Sequence, residues 1–442
     1  MRAEALHGDR AAALETFARF AELVRRETGG EPAAATTALA ERVRLARGPA
    51  PPPRGGAERL WTRRAPLVGR TAALSRLLEL WDRAAAGRGA AVVLLEGDLG
   101  LGRTRLLEEL AQRATLAGGA VASVLAVRSD RGEPWSGVVG LARGGLAALP
   151  GVAAARPEAL AGFVAHVPEW ADRFPGARGE PLSPGGAFRE IVAAAAHERP
   201  ILLTADDAQH LDDDSLLALH ATLRDLRTAP VMLALALLPG ARQATLDDLR
   251  AGIGETWAGA VIPLEPLGPA EVGALAAWAL PSFDAPALDR VTRRVLRDSA
   301  GIPLLVVELL HAVTLGLDSA EPGAWPAPFR TLSQTLPADL PDAVVGAVRV
   351  AFRDLSPPAQ TVLTALAVLP DRAPEALIAR VAQLEVPALR VALDELEWQR
   401  WITAEARGYA FVARIIRDIV ARDMLTPGQK RRLTESAGLT PA

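Results

Sequence analysis

Apolar positions recur at helical spacing from the start of this 442-residue chain. Ala11, Leu14, Phe17, Ala18, Ala21 and Val24 share one face, and Leu39, Val43 and Ala46 share another within 32–46. A break at Gly29-Gly30-Glu31-Pro32 separates them, so residues 1–48 predict two helices. Pro49 to Gly56 (PAPPPRGG) has no periodicity and reads as an extended linker. Then the pattern changes. A helix over Thr71 to Ala86, with Leu74, Leu77, Leu78 and Trp81 inward, precedes a series of short apolar runs. The runs are Ala91–Leu95, Ala120–Val127, Ile201 to the acids Asp206-Asp207, Val231–Leu238 and Ala260–Glu265. Runs of this length, alternating with helical segments, predict five parallel strands covered on both faces. Between the second and third, Trp135 to His197 reads as mostly helical with Pro and Gly breaks, and Trp135, Phe163, Trp170 and Phe174 read as core.

After Pro266-Leu267-Gly268-Pro269 the spacing is helical to about Thr331. Four more helices are predicted over Pro341–Phe352, Pro357–Val368, Ala373–Ala382 and Val386–Arg400. A β-hairpin of Trp401–Glu405 and Tyr409–Ala413 turns at Arg407-Gly408, and another helix starts near Ile415. Helices followed by a hairpin over Leu336 to Leu425 read as a winged helix.

Composition narrows this only slightly. Half of the chain is apolar and net charge is −3, which gives no basic excess for nucleic acid or an anionic membrane. Without cysteine there is no disulfide, thiolate metal site or thiol nucleophile, which agrees with a cytoplasmic location. Arg2, Glu4, Asp9 and Arg10 predict no signal peptide at Met1. The longest apolar stretch, Ala229 to Ala241, contains Pro230 and Pro239 and is too short to span a bilayer.

The chemistry centres on VVLLEGDLGLGRTRLLEEL, Val92 to Leu110. A strand enters a glycine turn, Gly97, Gly100 and Gly102, and a helix follows with Arg103, Thr104 and Arg105 in its first turn. The spacing fits the phosphate-loop pattern G-x-x-x-x-G-K-[ST] except that Arg103 stands where lysine belongs. Glycines let backbone N–H groups turn inward on phosphate oxygens, the helix N-terminus adds positive potential, and Thr104 is placed for Mg²⁺. Lys430 is the sole lysine among 49 basic residues, which offers compositional drift from lysine toward arginine as a plain account of Arg103. The exchange is still not chemically neutral, because arginine is a planar fork and lysine a compact charge.

The strand ending at Asp206-Asp207 supplies what a Mg²⁺-nucleotide site needs at the carboxyl edge of a parallel sheet. Asp206 is the candidate Mg²⁺ ligand, and Asp207 the candidate base that orients water. An acidic helix cap is the other reading, since Asp212 to Ser215 form an N-cap cluster just beyond. The fourth strand ends Leu237-Leu238-Pro239 with no phosphate-sensing arginine, and Arg242 is the nearest.

These motifs resemble the AAA-like ATPases of the STAND class (signal-transduction ATPases with numerous domains) in large bacterial transcriptional regulators. Val68-Gly69-Arg70 resembles the family's adenine-side segment, DDAQHLDDDSLLAL its acidic strand motif, and Gly301-Ile302-Pro303 its Gly-x-Pro motif, otherwise a plain helix break. The resemblance implies a strand order of 5-1-4-3-2, with backbone near Val68 meeting the adenine and Pro303 packing on the base. It also implies that the winged helix is an internal lid rather than a DNA reader, with a phosphate-sensing histidine where this chain has Ala413. ALHGDRAAALETFARFAELVRRETGGEP resembles the last repeat of the bacterial transcriptional activation domain. In that family a DNA-binding domain precedes this repeat, so the chain reads as beginning in mid-domain and is not expected to bind DNA itself.

The expected division is 1–48 helical-repeat remnant, 49–62 linker, 63–268 P-loop NTPase domain, 269–335 helical domain, 336–427 winged helix and 428–442 the start of a truncated helical repeat. The cradle residues are present, while three charge sensors are altered: Arg103 for lysine, no arginine after the fourth strand, and Ala413. Losing one such group costs about 100- to 1000-fold in rate. The expected function is an ATP/ADP- and Mg²⁺-binding regulatory switch with weak or absent hydrolysis, working through a protein partner or self-association. A degenerate scaffold that binds no nucleotide and an active AAA-like ATPase are the alternatives.

Overall fold

The computed structural model describes residues 4, 10–28, 30–45, 65–317, 342–370, 372–399, 401–405 and 408–438. The linker read at Pro49–Gly56, together with Ala46, Leu336, Pro341 and Arg407, lies outside them. The chain divides into two compact units, one from residues 1–53, 70–97 and 102–264, the other from 54–69, 98–101 and 265–442.

The first unit runs α1 (Arg10–Thr28), α2 (Ala34–Leu45), α3 (Thr71–Ala85), β1 (Ala91–Glu96), α4 (Arg103–Leu116), β2 (Ala120–Leu125), α5 (Ser136–Arg143), α6 (Pro157–Val164), α7 (Pro184–Glu198), β3 (Ile201–Asp206), α8 (Asp213–Asp225), β4 (Val231–Leu237), α9 (Ala244–Gly252) and β5 (Ala258–Pro263). The strands form one sheet ordered β2-β3-β4-β1-β5, every neighbouring pair parallel. Read from its other edge, this is the expected order 5-1-4-3-2. β3 and β4 are buried along their whole length and β1 up to Glu96, which is why they read as unbroken apolar runs.

Val92 and Leu94 join a core with Ile201, Leu203, Leu219, Leu246 and Leu249. The two-residue alternation of a strand turns Val93 and Leu95 the other way. There α3 packs on β1 and α4 on β3 and β4, burying Leu77, Trp81, Leu106 and Leu110. All the C-terminal strand ends, Glu96 and Asp206 among them, open on one edge, where parallel sheets present ligand sites.

Several readings need correction. Buried Leu80 replaces Leu74 and Leu78, which are half-buried, as the third inward residue of α3. On α1, Ala13 and Ala21 are buried while Ala11 and Ala18 are exposed. The stripe is rotated because α1 meets little beyond α2 and the end of α4, where Ala13, Val43 and Leu116 form a small core. Phe163, Trp170 and Phe174 are buried as expected, but Trp135 is only half-buried. β2 stops at Leu125, two residues short of Val127. β5 starts two residues early, at Ala258, because Gly259 belongs inside it. A Cβ there would lie 2.4 Å from the Val92 carbonyl oxygen, so this glycine marks a close backbone approach rather than a break.

The second unit contains α10 (Pro269–Ala279), α11 (Ala285–Ser299), α12 (Pro303–Leu317), α13 (Asp342–Asp354), α14 (Pro357–Val368), α15 (Glu375–Ala382), α16 (Val386–Trp398), a hairpin of β6 (Ile402–Glu405) and β7 (Gly408–Phe411), α17 (Arg414–Asp423) and α18 (Pro427–Ser436). Its helices share one core that includes Val272, Leu309, Leu363, Leu393, Ile402 and Val420. α14 has the bounds read from the sequence, capped by Ser356. α15 starts two residues later than read because Ala373 instead pairs with Tyr409 across a β-bridge. α16 ends at Trp398 rather than Arg400. Among the described residues no helix is long and apolar enough to cross a membrane.

Candidate functional site

The loop between β1 and α4 is a glycine turn that ends at a helix N-terminus. The Gly97 N–H donates to Leu237 O at 3.3 Å, fixing the loop's start on β4. Gly100 (φ +79°) and Gly102 (φ +93°) adopt the left-handed conformation that a side chain resists. Gly102 caps α4 but offers no side-chain acceptor, and the first turn holds no acidic residue. A helix N-terminus of this kind presents N–H groups and positive potential to a bound anion.

Arg103 and Thr104, the first residues of α4, meet the acids at the end of β3. Thr104 Oγ1 donates to Asp206 Oδ2 at 2.5 Å. Arg103 Nη2 pairs with Asp207 Oδ1 at 2.8 Å. The Arg103 side chain is 8% exposed and that of Asp207 34%. Arg103 Nη1 is buried and has no hydrogen-bond partner among the described residues. Asp207 thus holds one terminal nitrogen of the Arg103 fork and leaves the other to a further acceptor.

Asp206 is buried, and burial pushes its carboxyl above the ordinary range despite the Thr104 hydrogen bond. Its Oδ1 also accepts from the Asp207 N–H at 3.0 Å. Asp207 sits at φ +50°, an uncommon conformation for a residue with a side chain. Its Oδ1 accepts a second hydrogen bond from Gln209 Nε2 at 3.1 Å, and Gln209 Oε1 accepts from the Leu238 N–H at 3.2 Å. Sequence reading missed Gln209, whose partner at the end of β4 is 29 positions away.

Arg242 is exposed. Arg250 of α9 instead reaches the end of β1, and carboxylates occupy it: Glu96 Oε1 and Asp247 Oδ1 lie 2.7 Å from its two terminal nitrogens. Arg105 pairs with buried Glu109 at 2.8 Å. Asp212 caps α8, as read, and its carboxylate also accepts from Trp135 N, Ser136 Oγ and Gly137 N at 2.8, 3.0 and 3.1 Å. Arg70 is buried at the start of α3.

In the second unit, Val68 packs half-buried on the core, and Gly69 adopts φ +67° close to Leu267 and Glu271. Pro303 opens α12, and the next N–H, Leu304, donates to Gly100 O at 3.1 Å. Gly301 (φ +73°) cannot carry a side chain, since a Cβ would lie 2.2 Å from Leu267 O. Ala413 is buried at the N-cap of α17.

The donor set suits a magnesium nucleotide. A hydroxyl and a carboxylate are hard oxygen ligands of the kind Mg²⁺ takes alongside phosphate. The unpartnered Arg103 Nη1 suits a phosphate oxygen.

No protein of curated function matches the chain. Three similar solved structures share little identity. The Walker-type ATPase of Pyrococcus abyssi is 17% identical, over 80% of this chain and 96% of that one, with a TM-score of 0.48. The STAND protein with a tetratricopeptide repeat sensor from Pyrococcus horikoshii is 15% identical over 84% of this chain, which spans 46% of its length (TM-score 0.34). The Aeropyrum pernix Orc1 protein, solved with DNA, is 16% identical over 82% of this chain and 94% of that one (TM-score 0.41). Residues 66–234, from the segment before α3 into β4, match the family model of the AAA ATPase domain, in keeping with a P-loop NTPase-like fold.

Proposed function

We propose that the chain is a regulatory switch that binds ATP or ADP with Mg²⁺ and hydrolyses ATP slowly or not at all. One observation carries this reading: beside the Thr104–Asp206 pair, Arg103 holds a buried guanidinium nitrogen with no hydrogen-bond partner among the described residues. A buried donor left unpaired costs about 1–3 kcal/mol, more when charged, and a phosphate oxygen would satisfy it. In this reading Gly97, Gly100 and Gly102 present backbone N–H groups to the phosphates, and Thr104 and Asp206 hold Mg²⁺. Bound Mg²⁺ would supply Lewis-acid stabilisation of phosphate charge.

Slow turnover follows from the same residues. In this reading Asp207 is the water-orienting carboxylate, but its Oδ1 already accepts from Arg103 and Gln209. No arginine stands at the end of β4, and Arg250 is held by two carboxylates. The wider assignment is part of the proposal: a STAND-type core from a transcriptional regulator, with residues 336–427 as a winged-helix domain and 1–48 as the end of a helical-repeat module. The helices and hairpin of the second unit, and the docked α1–α2 pair, support it.

The test is to purify the chain, denature it and identify released nucleotide by chromatography, beside Asp206→Ala. The proposal expects ADP or ATP at about one per chain in the parent and its loss in the variant. Absence of nucleotide, with no thermal shift on adding Mg·ATP, would contradict it.

A further inference from the structure

We propose that Asp207 is a resident anion of the nucleotide site, which occupies half of the Arg103 fork and thereby sets nucleotide affinity. The inference rests on the nucleotide-binding reading above and assigns Asp207 and Gln209 a role within it. A guanidinium presents several N–H donors in one rigid plane, so it can face two acceptors at once. In Arg103 that division is visible. Nη2 is held by Asp207 Oδ1 at 2.8 Å, while Nη1 is buried without a hydrogen-bond partner among the described residues. One arm is committed to the protein's own carboxylate and the other is left for an incoming anion.

Asp207 is not a loosely placed surface acid. Its backbone is fixed at φ +50°, and its N–H is tied to Asp206 Oδ1 at 3.0 Å. Gln209 grips the same carboxylate oxygen that Arg103 uses, and is itself anchored by the Leu238 N–H at the end of β4. The clamp therefore runs from β4 through Gln209 and Asp207 to the first residue of α4. An anion so held draws off part of the arginine's charge and keeps one arm of its fork from the phosphate. A lysine at 103 would place one nitrogen there instead of a divided fork, so the arginine and the Asp207 pair are read as one device. Gln209 is a positioning residue that acts through Asp207.

The test is an equilibrium titration with Mg·ADP, in which hydrolysis plays no part. The parent, Asp207→Asn, Gln209→Ala, Arg103→Met and the Asp207→Asn/Arg103→Met double variant are compared, each first shown to melt cooperatively. Asp207→Asn is expected to tighten ADP about 10-fold, the scale of a partly buried charge pair. Gln209→Ala leaves every charge in place and should tighten it about 3-fold, the scale of one hydrogen bond. In the Arg103→Met background, Asp207→Asn should change affinity less than about 2-fold, because no fork remains to release. ADP affinity that is unchanged or weaker in Asp207→Asn, or equally tightened without Arg103, overturns the resident-anion assignment while leaving nucleotide binding intact. If neither parent nor variants bind ADP, the nucleotide reading fails and this inference with it.

Discussion

Thr104 and Asp206 are 102 positions apart in sequence, and the Thr104 hydroxyl donates to the Asp206 carboxylate at 2.5 Å. This hydrogen bond only partly compensates a buried acid whose carboxyl is pushed upward by burial. For a carboxyl with a raised folded-state pKa, the favourable contribution is present at low pH and is lost as pH rises through the folded value. Asp206→Asn keeps an oxygen for Thr104 and removes the buried charge. It should melt higher than the parent at neutral pH, by a margin that narrows on acidification, while losing the Mg²⁺ dependence of any nucleotide-induced thermal shift. A lower melting temperature at neutral pH would contradict this.

Asp212 has the opposite sign. Hydrogen bonds from Ser215, Gly137 and Trp135 hold its carboxyl below the usual range despite burial. Its stabilisation is present above the unfolded-state pKa and is lost as pH falls through the depressed folded value. Asp212→Ala leaves the buried N–H groups of Gly137 and Ser215 without their acceptor and should cost about 2–4 kcal/mol. Denaturant melts across pH should show the two proteins converging in strong acid; a constant gap would rule out the linkage.

Gly100 and Gly102 of the phosphate loop should differ in tolerance. At Gly102 a Cβ meets nothing within 4 Å, so Gly102→Ala carries backbone strain alone, about 1–2 kcal/mol. At Gly100 a Cβ would lie 2.9 Å from Ile302 Cγ2 and 3.2 Å from Leu304 Cβ. Gly100→Ala should cost about 1–3 kcal/mol more, as expected for overpacking. Chemical denaturation of both variants checks the order.

The α1–α2 pair is held on the C-terminal end of α4 by a small core of Ala13, Val43 and Leu116. Val43→Asp places a charge in that core. Amide exchange in α1 and α2 should then rise strongly while β1, β3 and β4 keep their protection. Equal loss of protection in the sheet would mean that the helices and the sheet unfold as one.

Much of this fold was legible because its signals are local. Short apolar runs gave the strands, a glycine turn before a helix gave the phosphate loop, and an acid closing an apolar run gave Asp206. Gly259 was misread as lying outside β5, because a glycine required by the Val92 carbonyl looks the same in sequence as one that ends a strand. The α1 stripe was read rotated because only one side of it is covered, and the spacing does not say which alanines are. The pairing of Arg103 with Asp207 could not be read at all. Motif spacing specifies residue types along the chain, whereas the division of one guanidinium between two acceptors depends on strand ends that meet only in the folded sheet.

The most direct test is to mix the protein with stoichiometric Mg·ATP, separate bound from free nucleotide, and follow the identity of the bound fraction over an hour. The account predicts about one nucleotide retained per chain, still mostly ATP. Failure to retain any nucleotide would contradict it, and so would conversion to ADP at about 10 per second, the pace of an ordinary enzyme.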